Sequence, residues 1–272
     1  MKIGITHGGA FHADDVFATA LLKILYPKLI IERVFSVADE MKNDADSIIY
    51  DIGYGVFDHH QVDKAVRDNG IPYAAFGLLW REFGNMVFED DLSIERFDED
   101  FVQNLDLSDN TGEYNQLASI IGSFNPNWNE DETADKLFDE AVAFAKTILK
   151  RNFNKTKSSM MAKTEVHSAL DRSNGDIVVL DKYMPYNSVL ISSNALYVIY
   201  PSLRGGYNAQ TIKKEFKSMD DKLPFPEEWL DENNRPKEIT FFHTGRFIVV
   251  ANTLAEVYDI CLESIKISHN NE

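Results

Sequence analysis

Cysteine is nearly missing from this chain: Cys261 is the only one in 272 residues. That excludes an intrachain disulfide and a thiolate-based structural zinc site. Basic residues are also short, 27 against 44 acidic, for a formal net charge of −17. Broad, sequence-independent duplex binding rests on many Lys and Arg contacts to phosphate, so it is excluded as the main activity. A small phosphorylated substrate or a short single strand stays open, because bound divalent cations reverse a site's potential whatever the net charge. No apolar run approaches the roughly 20 residues of a membrane span, so no membrane partner is expected. The opening MKIGITHGG has no apolar core or small-residue cleavage site of a signal peptide, and a cytoplasmic location is expected. Repeats, low-complexity tracts, Gly-rich nucleotide fingerprints and Walker-type motifs are all missing.

What is present is a globular composition, 44% hydrophobic and 12% aromatic, and a dense polar stretch, HGGAFHADD, at residues 7–15. The run before it, KIGIT, alternates as a strand does. The run after it places Val16, Phe17, Ala20, Leu21, Ile24 and Leu25 at helical spacing. The stretch therefore reads as a strand-to-helix turn, and in an open α/β sheet such turns sit at the carboxyl edge where ligands bind. A helix cap accounts for Asp14 or Asp15, but leaves His7 and His12 unexplained.

Further strands are expected at LIIERVFS (residues 29–36) and SIIYDIG (47–53), then a short strand or turn at YGVFDHHQ. This order fits a mainly parallel sheet flanked by helices. Helices are expected over YAAFGLLWREFGNMVF and over residues 101–110, where Asp106 and Asp109 lie one turn apart. An amphipathic helix begins after Glu132 and continues, with a break near Asn154, through SSMMAKTEVHSALDR. Beyond Gly175, DIVVLD, SVLIS, ALYVIYP and ITFFHTGRFIVVA are β-rich, and TLAEVYDICLESIKI closes the chain as a helix. The expected class is α/β: an N-terminal domain over 1–160 with the parallel sheet, and a smaller α+β domain over 161–272.

Polar groups fall at the ends of these elements: His7, His12 and Asp14; Asp51; Asp58, His59 and His60; and Asp109. Several carboxylates with imidazoles at successive strand ends suit a pair of divalent metals, and Asp51, ending the most apolar strand, is the natural bridge. Mixed N/O donors favour Mn²⁺, Zn²⁺ or Fe²⁺ over Mg²⁺ or Ca²⁺. Taken singly, Asp14 also reads as a cap and Asp109 as a solvated helical residue.

The ordered set HGGAFHADD, IIYDIG, FDHHQ and LDLSDN resembles the Asp-His-His (DHH) phosphoesterase superfamily. Within it, the chain looks most like the Myg-type metal-dependent phosphohydrolases and exonucleases, a likeness extended by FNPNWN, LPFPEEW and FFHTGRF. The resemblance implies a DHH-like catalytic domain, one metal on His7, His12 and Asp51, and a second on Asp14, Asp51, His59 and Asp109, with Mn²⁺ the leading candidate. It also implies that His60 faces substrate phosphate and that Asp58 orients a neighbouring imidazole. His12 stands where many DHH enzymes carry Asp, which lowers the site's negative charge. The roles of Asp15 and Asp106 are left open.

The C-terminal domain is expected to bind substrate through Arg204 in SLRGGYNAQ and through His243 and Arg246 in HTGR. The family more often has a small residue at the position of Arg246. The leading expectation is two-metal phosphoester hydrolysis, as a phosphodiesterase or 3′–5′ exonuclease on short RNA or small nucleotides. Hydrolysis of a non-phosphate ester or amide, or a non-catalytic metal- or nucleotide-binding module, are the alternatives. The sequence does not decide between a monomer and a homodimer.

Overall fold

A computed structural model describes residues 2–215 and 218–270 of the chain. It is α/β, and divides into two compact units, Met1–Lys157 and Ser158–Glu272.

The first unit is built on a parallel three-stranded sheet in the order β2-β1-β3, formed by β1 (Ile3–His7), β2 (Ile30–Val34) and β3 (Ser47–Ile49). β1 is central, pairing with both neighbours from Ile3 onward. Gly4 leaves room there for the Ile31 side chain, whose Cδ1 would lie 2.8 Å from an added Cβ. Between β1 and β2 runs α1 (Ala13–Leu25), buried on every side from Ala13 to Leu22. That burial is unusual in that it takes Asp14 and Asp15 along, at 1% and 0% exposure, and buried carboxylates demand compensating partners. After the one-turn helix α2 (Asp39–Lys42) and β3, helices α3 (Ala75–Phe83), α4 (Asp91–Phe97), α5 (Gln103–Thr111) and α6 (Gln116–Gly122) complete the layer. Its core joins Val16, Phe17 and Leu21 of α1 to Phe76, Leu79 and Trp80 of α3 and to Phe138 and Phe153.

The last two residues belong to α7 (Ala134–Asp171), which runs without interruption. The break expected near Asn154 is not there: Asn152 Nδ2 donates to the Ile148 carbonyl within the helix, and no Pro or Gly interrupts 134–171.

The second unit carries a mixed five-stranded sheet, order β4-β5-β6-β8-β7, made of β4 (Ile177–Val179), β5 (Tyr197–Pro201), β6 (Tyr207–Thr211), β7 (Ile239–Phe242) and β8 (Ile248–Ala251). Only β4–β5 is parallel. Strand alternation separates its two faces. Tyr197 and Ile199 pack with Val257, Ile260 and Cys261 of α9 (Leu254–Asn270), while Val198 and Tyr200 pack with Ala162, Val166 and Leu190. LPFPEEW is a core segment, with Phe225 and Trp229 both at 0% exposure. SVLIS, expected as a strand, contributes instead to the short helix α8 (Asn187–Leu190). A run that short carries no period to tell helix from strand.

Candidate metal centre

The carboxyl ends of β1, β2 and β3 open onto one cavity of about 1010 Å³, lined by His7, His12, Asp51, Asp58, His59, His60 and Asp109 among others. Three segments deliver these side chains. The 7–15 turn is clamped by Asn125, the first Asn of FNPNWN, whose side chain bonds both the N–H (2.9 Å) and the C=O (2.8 Å) of Phe11. The turn after β3 contains Asp51 at φ 55 and Gly53 at φ 87, a reversal held by Tyr50 N–H to Ile5 O (3.0 Å) and Asp51 N–H to Phe57 O (3.0 Å). Helix α5 supplies Asp109 and Asn110.

Asp51 is the hub. Its Oδ2 lies 3.3 Å from His7 Nε2 and its Oδ1 3.1 Å from His59 Nε2. His7 Nε2 is also 3.2 Å from Asp15 Oδ2, and His59 Nε2 is 3.3 Å from Asp109 Oδ2. Three groups of closely spaced donors result: His7, Asp15 and Asp51; Asp14, His59 and Asp109; and Asp51, His59 and His60. The sequence-derived residues His7, Asp14, Asp51, His59 and Asp109 are thus brought together. His12 lines the same cavity, its ring centroid 5.9 Å from that of His7, but is outside these groups. Asp15 takes a place in them that the sequence left open.

Tautomers follow from the outer partners. His7 Nδ1 faces the Gly8 carbonyl at 3.2 Å, and a carbonyl only accepts, so Nδ1 carries a proton and Nε2 is the nitrogen turned to the cluster, where it is protonated in the metal-free protein and a ligand atom once that proton leaves. The amide nitrogen of Asn110 donates to Tyr73 O and Asp106 O, leaving its Oδ1 to accept from His59 Nδ1 at 3.3 Å. His59 Nε2 is thereby turned to the cluster in the same way. Asp58 Oδ1 accepts from His60 Nδ1 (2.7 Å) and from the His60 backbone N–H (3.1 Å), so it aligns the neighbouring imidazole. His60 itself is 56% exposed at the cavity.

The electrostatics leave positive charge wanting. Among the described residues, no Lys or Arg forms an ion pair with Asp14, Asp15, Asp51 or Asp109. Burial pushes the Asp15 carboxyl up to about 7, against the pull of His7. Burial, with Asp51 and Asp109 adding to it, holds Asp14 well above the usual carboxylate range. Asp109 is likewise raised by burial. Burial also opposes ionisation of Asp51, but the His59 and His7 hydrogen bonds prevail and hold it at about 2. The Asp51 bond raises His7 to about 9, and His59 is raised because Asp51 and Asp109 outweigh its burial. In the metal-free protein, protons stand where cations would. Asp15 Oδ2 is buried with no hydrogen-bond partner while its Oδ1 accepts from His12 N–H at 2.8 Å. A buried carboxylate oxygen without a hydrogen bond, beside a second carboxylate on the same imidazole Nε2, is what a divalent cation satisfies when it replaces the imidazole proton, so the donors fit such an ion.

Arg67 and Lys64, and the structural roles of Asp14 and Asp106, escaped the sequence reading. Asp14 caps a helix other than its own, accepting from Ala75 N (2.9 Å) and Phe76 N (2.7 Å) at the start of α3. Asp106 accepts from Gly77 N at 3.1 Å and pairs with Arg67 at 2.7 Å, and Arg67 also holds Asp98. Lys64, three residues beyond Gln61, lines the cavity and donates to Asn110 Oδ1 at 3.1 Å. The DHHQVDK spacing was the only signal for it.

The other expected residues lie in the second unit. Arg204 lines a cavity of about 940 Å³ there, with Lys182, Tyr183, Tyr200, Asn208 and Phe241. His243 and Arg246 occupy the β7–β8 turn. His243 Nδ1 accepts from Gly245 N–H at 2.9 Å, and Arg246 lies 3.6 Å from Glu227.

Comparison with known proteins sets this geometry in a family. Residues 2–265 match the family model MYG1_exonuc, described as an uncharacterised protein family (UPF0160). The chain belongs to the MYG1 family. A MYG1 protein of Dictyostelium discoideum is 26% identical over 299 residues, covering 89% of this chain and 90% of that protein. A Saccharomyces cerevisiae MYG1 protein is 25% identical over 321 residues, 96% of this chain and 94% of its own length. The human relative, named MYG1 exonuclease, is 26% identical over 306 residues, 91% of this chain and 81% of its own. No solved structure matches. Among the described residues, no helix is long and apolar enough to cross a membrane.

Proposed function

We propose that this chain is a phosphoester hydrolase dependent on two divalent cations, Mn²⁺ foremost. In this reading it is a 3′–5′ exonuclease or phosphodiesterase acting on short RNA or small nucleotides, within the DHH superfamily. One observation carries the reading: the two oxygens of the Asp51 carboxylate lie 3.3 and 3.1 Å from Nε2 of His7 and of His59, so one carboxylate serves two imidazoles. The exonuclease name of the human relative supports it.

His7, Asp15 and Asp51, with His12 beside them, would hold one cation; Asp14, Asp51, His59 and Asp109 would hold the other. When bound, such ions polarise phosphoryl oxygens and bring the pKa of water towards neutrality, so no separate strong base is needed. The protein's own groups do the positioning. His60, its Nδ1–H fixed on Asp58, lines the cavity, and in its imidazolium form its Nε2–H would donate to a phosphate oxygen. Lys64 adds a cation on the same wall. The first unit is the catalytic domain of this reading. The second binds substrate, with Arg204 the foremost contact and His243 and Arg246 further ones.

Short 5′-labelled RNA incubated with Mn²⁺ tests the proposal. Asp51→Ala and His59→Ala are expected to abolish cleavage. Undiminished cleavage by folded variants contradicts it, and preferential turnover of acyl or peptide substrates would move the assignment to another hydrolase class.

A further inference from the structure

Phe35 and Tyr54 are left 87% and 74% exposed, and both line the cavity that holds the donor cluster. Neither contributes to the core, yet both are fixed in place. Phe35 follows β2 directly and its ring lies on the backbone of the β1–α1 turn: a Cβ on Gly8 would stand 3.3 Å from Phe35 Cζ, and one on Gly9 3.5 Å from Cε1. Gly8 N–H donates to Val34 O at 2.8 Å, which ties that ring to the turn carrying His7. Tyr54 holds φ 58, the left-handed region that a bulky residue rarely adopts. Its N–H donates to Asp58 Oδ2 at 2.6 Å, the carboxylate that also aligns His60. Strain of this kind persists where surrounding contacts over-determine it, and it concentrates at ligand sites.

Lone surface aromatics need no explanation, but two at the mouth of one polar cavity do. The cavity also holds the cations Lys42 and Lys64. Flat apolar faces beside cations suit a ligand with a heteroaromatic ring at one end and a phosphate at the other.

We infer that Phe35 and Tyr54 are nucleobase-stacking side chains at the mouth of the metal cavity, so that they, and not the phosphate contacts alone, set the affinity for a base-bearing substrate. The phosphate end rests on the reading given under Proposed function; the base end rests on these two side chains. Because every base has a π-face, such a pair selects for the presence of a base and not for its identity.

Calorimetric titration of the Mn²⁺-loaded protein with AMP and with ribose 5-phosphate tests this without turnover. AMP is expected to bind at least about tenfold tighter. Phe35→Leu, which keeps bulk but loses the ring, and Tyr54→Ala are each expected to lower the AMP-to-ribose 5-phosphate affinity ratio about fivefold, and Tyr54→Phe to retain it. Equal affinities in the unmodified protein, no measurable AMP binding, or a ratio unmoved by both variants overturns the inference. A base-dependent ratio in a protein that cleaves no phosphodiester leaves this inference standing and removes the hydrolase reading. Cleavage of RNA and of an abasic phosphodiester at equal kcat/KM, with equal affinities for AMP and ribose 5-phosphate, does the reverse.

Discussion

The two units each present a sizeable cavity, and the two differ in their charged groups: carboxylates, imidazoles and two lysines in the first, cations without carboxylates in the second. The first gathers Asp51, Asp58 and Asp109 with imidazoles at the carboxyl edge of a parallel sheet. The second, on a largely antiparallel sheet, has Lys182 and Arg204 with Tyr183, Tyr200 and Phe241, and among the described residues no carboxylate lines it. In a chain of net charge −17, that segregation shows how little the total charge says about a site. Where carboxylates are buried with no Lys or Arg counter-ion, they and their imidazoles form a candidate cation site. Where cations stand without acids, an anion is the electrostatic complement, and the proposed substrate contact of Arg204 rests on that.

The sharpest way to break this contrast is to remove its hub. Asp51→Ala is expected to lower kcat about a thousandfold or more, equivalent to about 4 kcal/mol of barrier, and to reduce bound metal measured by elemental analysis. Retained activity in a folded variant would sink the metal-centre reading.

Next in size is Gly77→Ala. A Cβ there would stand 1.9 Å from Asp106 Oδ2, a carboxylate fixed by Arg67 at 2.7 Å. Helix propensity would repay about 1 kcal/mol, but the clash pushes apart the contact between α3 and α5. Urea unfolding is expected to show a net loss of about 2 kcal/mol. In the second unit, Gly205→Ala meets open space and only the penalty of φ 95, about 1 kcal/mol. Equal losses would show that the α3–α5 contact is slack.

Arg204→Ala sharpens the contrast from the other side. The expected result is a KM raised about tenfold with kcat moved less than twofold, the signature of lost uniform binding. A fall in kcat to match Asp51→Ala would mean that the guanidinium acts at the reacting phosphate.

The smallest effect is on stability against pH in the metal-free protein. His7 is raised to about 9, so its stabilising contribution is full below its ordinary 6.5 and is lost as pH rises through 9. Asp15 is raised to about 7, so ionising it costs stability increasingly between 3.8 and 7, in the same direction. Thermal unfolding is therefore expected to move to lower Tm between pH 6 and 9, by several degrees, and Mn²⁺ to abolish the decline by taking the place of the protons. A flat profile without metal would show that His7 and Asp15 are not held in the arrangement described.

Much of this was legible from residue order. The strand-turn-helix at residues 7–15 and the apolar run into Asp51 are local signals, and the donors sit where parallel strands end. What was not legible depends on partners far along the chain. Asp15 reads as a residue of the first helical turn and is one: Oδ1 bonds the His12 N–H, while Oδ2 faces His7. One carboxylate does both jobs, and no spacing rule separates them. Asp14 caps α3, some 60 positions on. β6, with the sequence YNAQT, lacks a branched apolar pattern and is a strand because β5 and β8 flank it.

The most direct test of the central claim is calorimetric titration of Mn²⁺ into the chelator-treated protein at neutral pH, repeated in buffers of different ionisation enthalpy. Two equivalents bound per chain with release of protons, and loss of that binding in Asp51→Asn, is the predicted result. No binding, or full binding by Asp51→Asn, would contradict it.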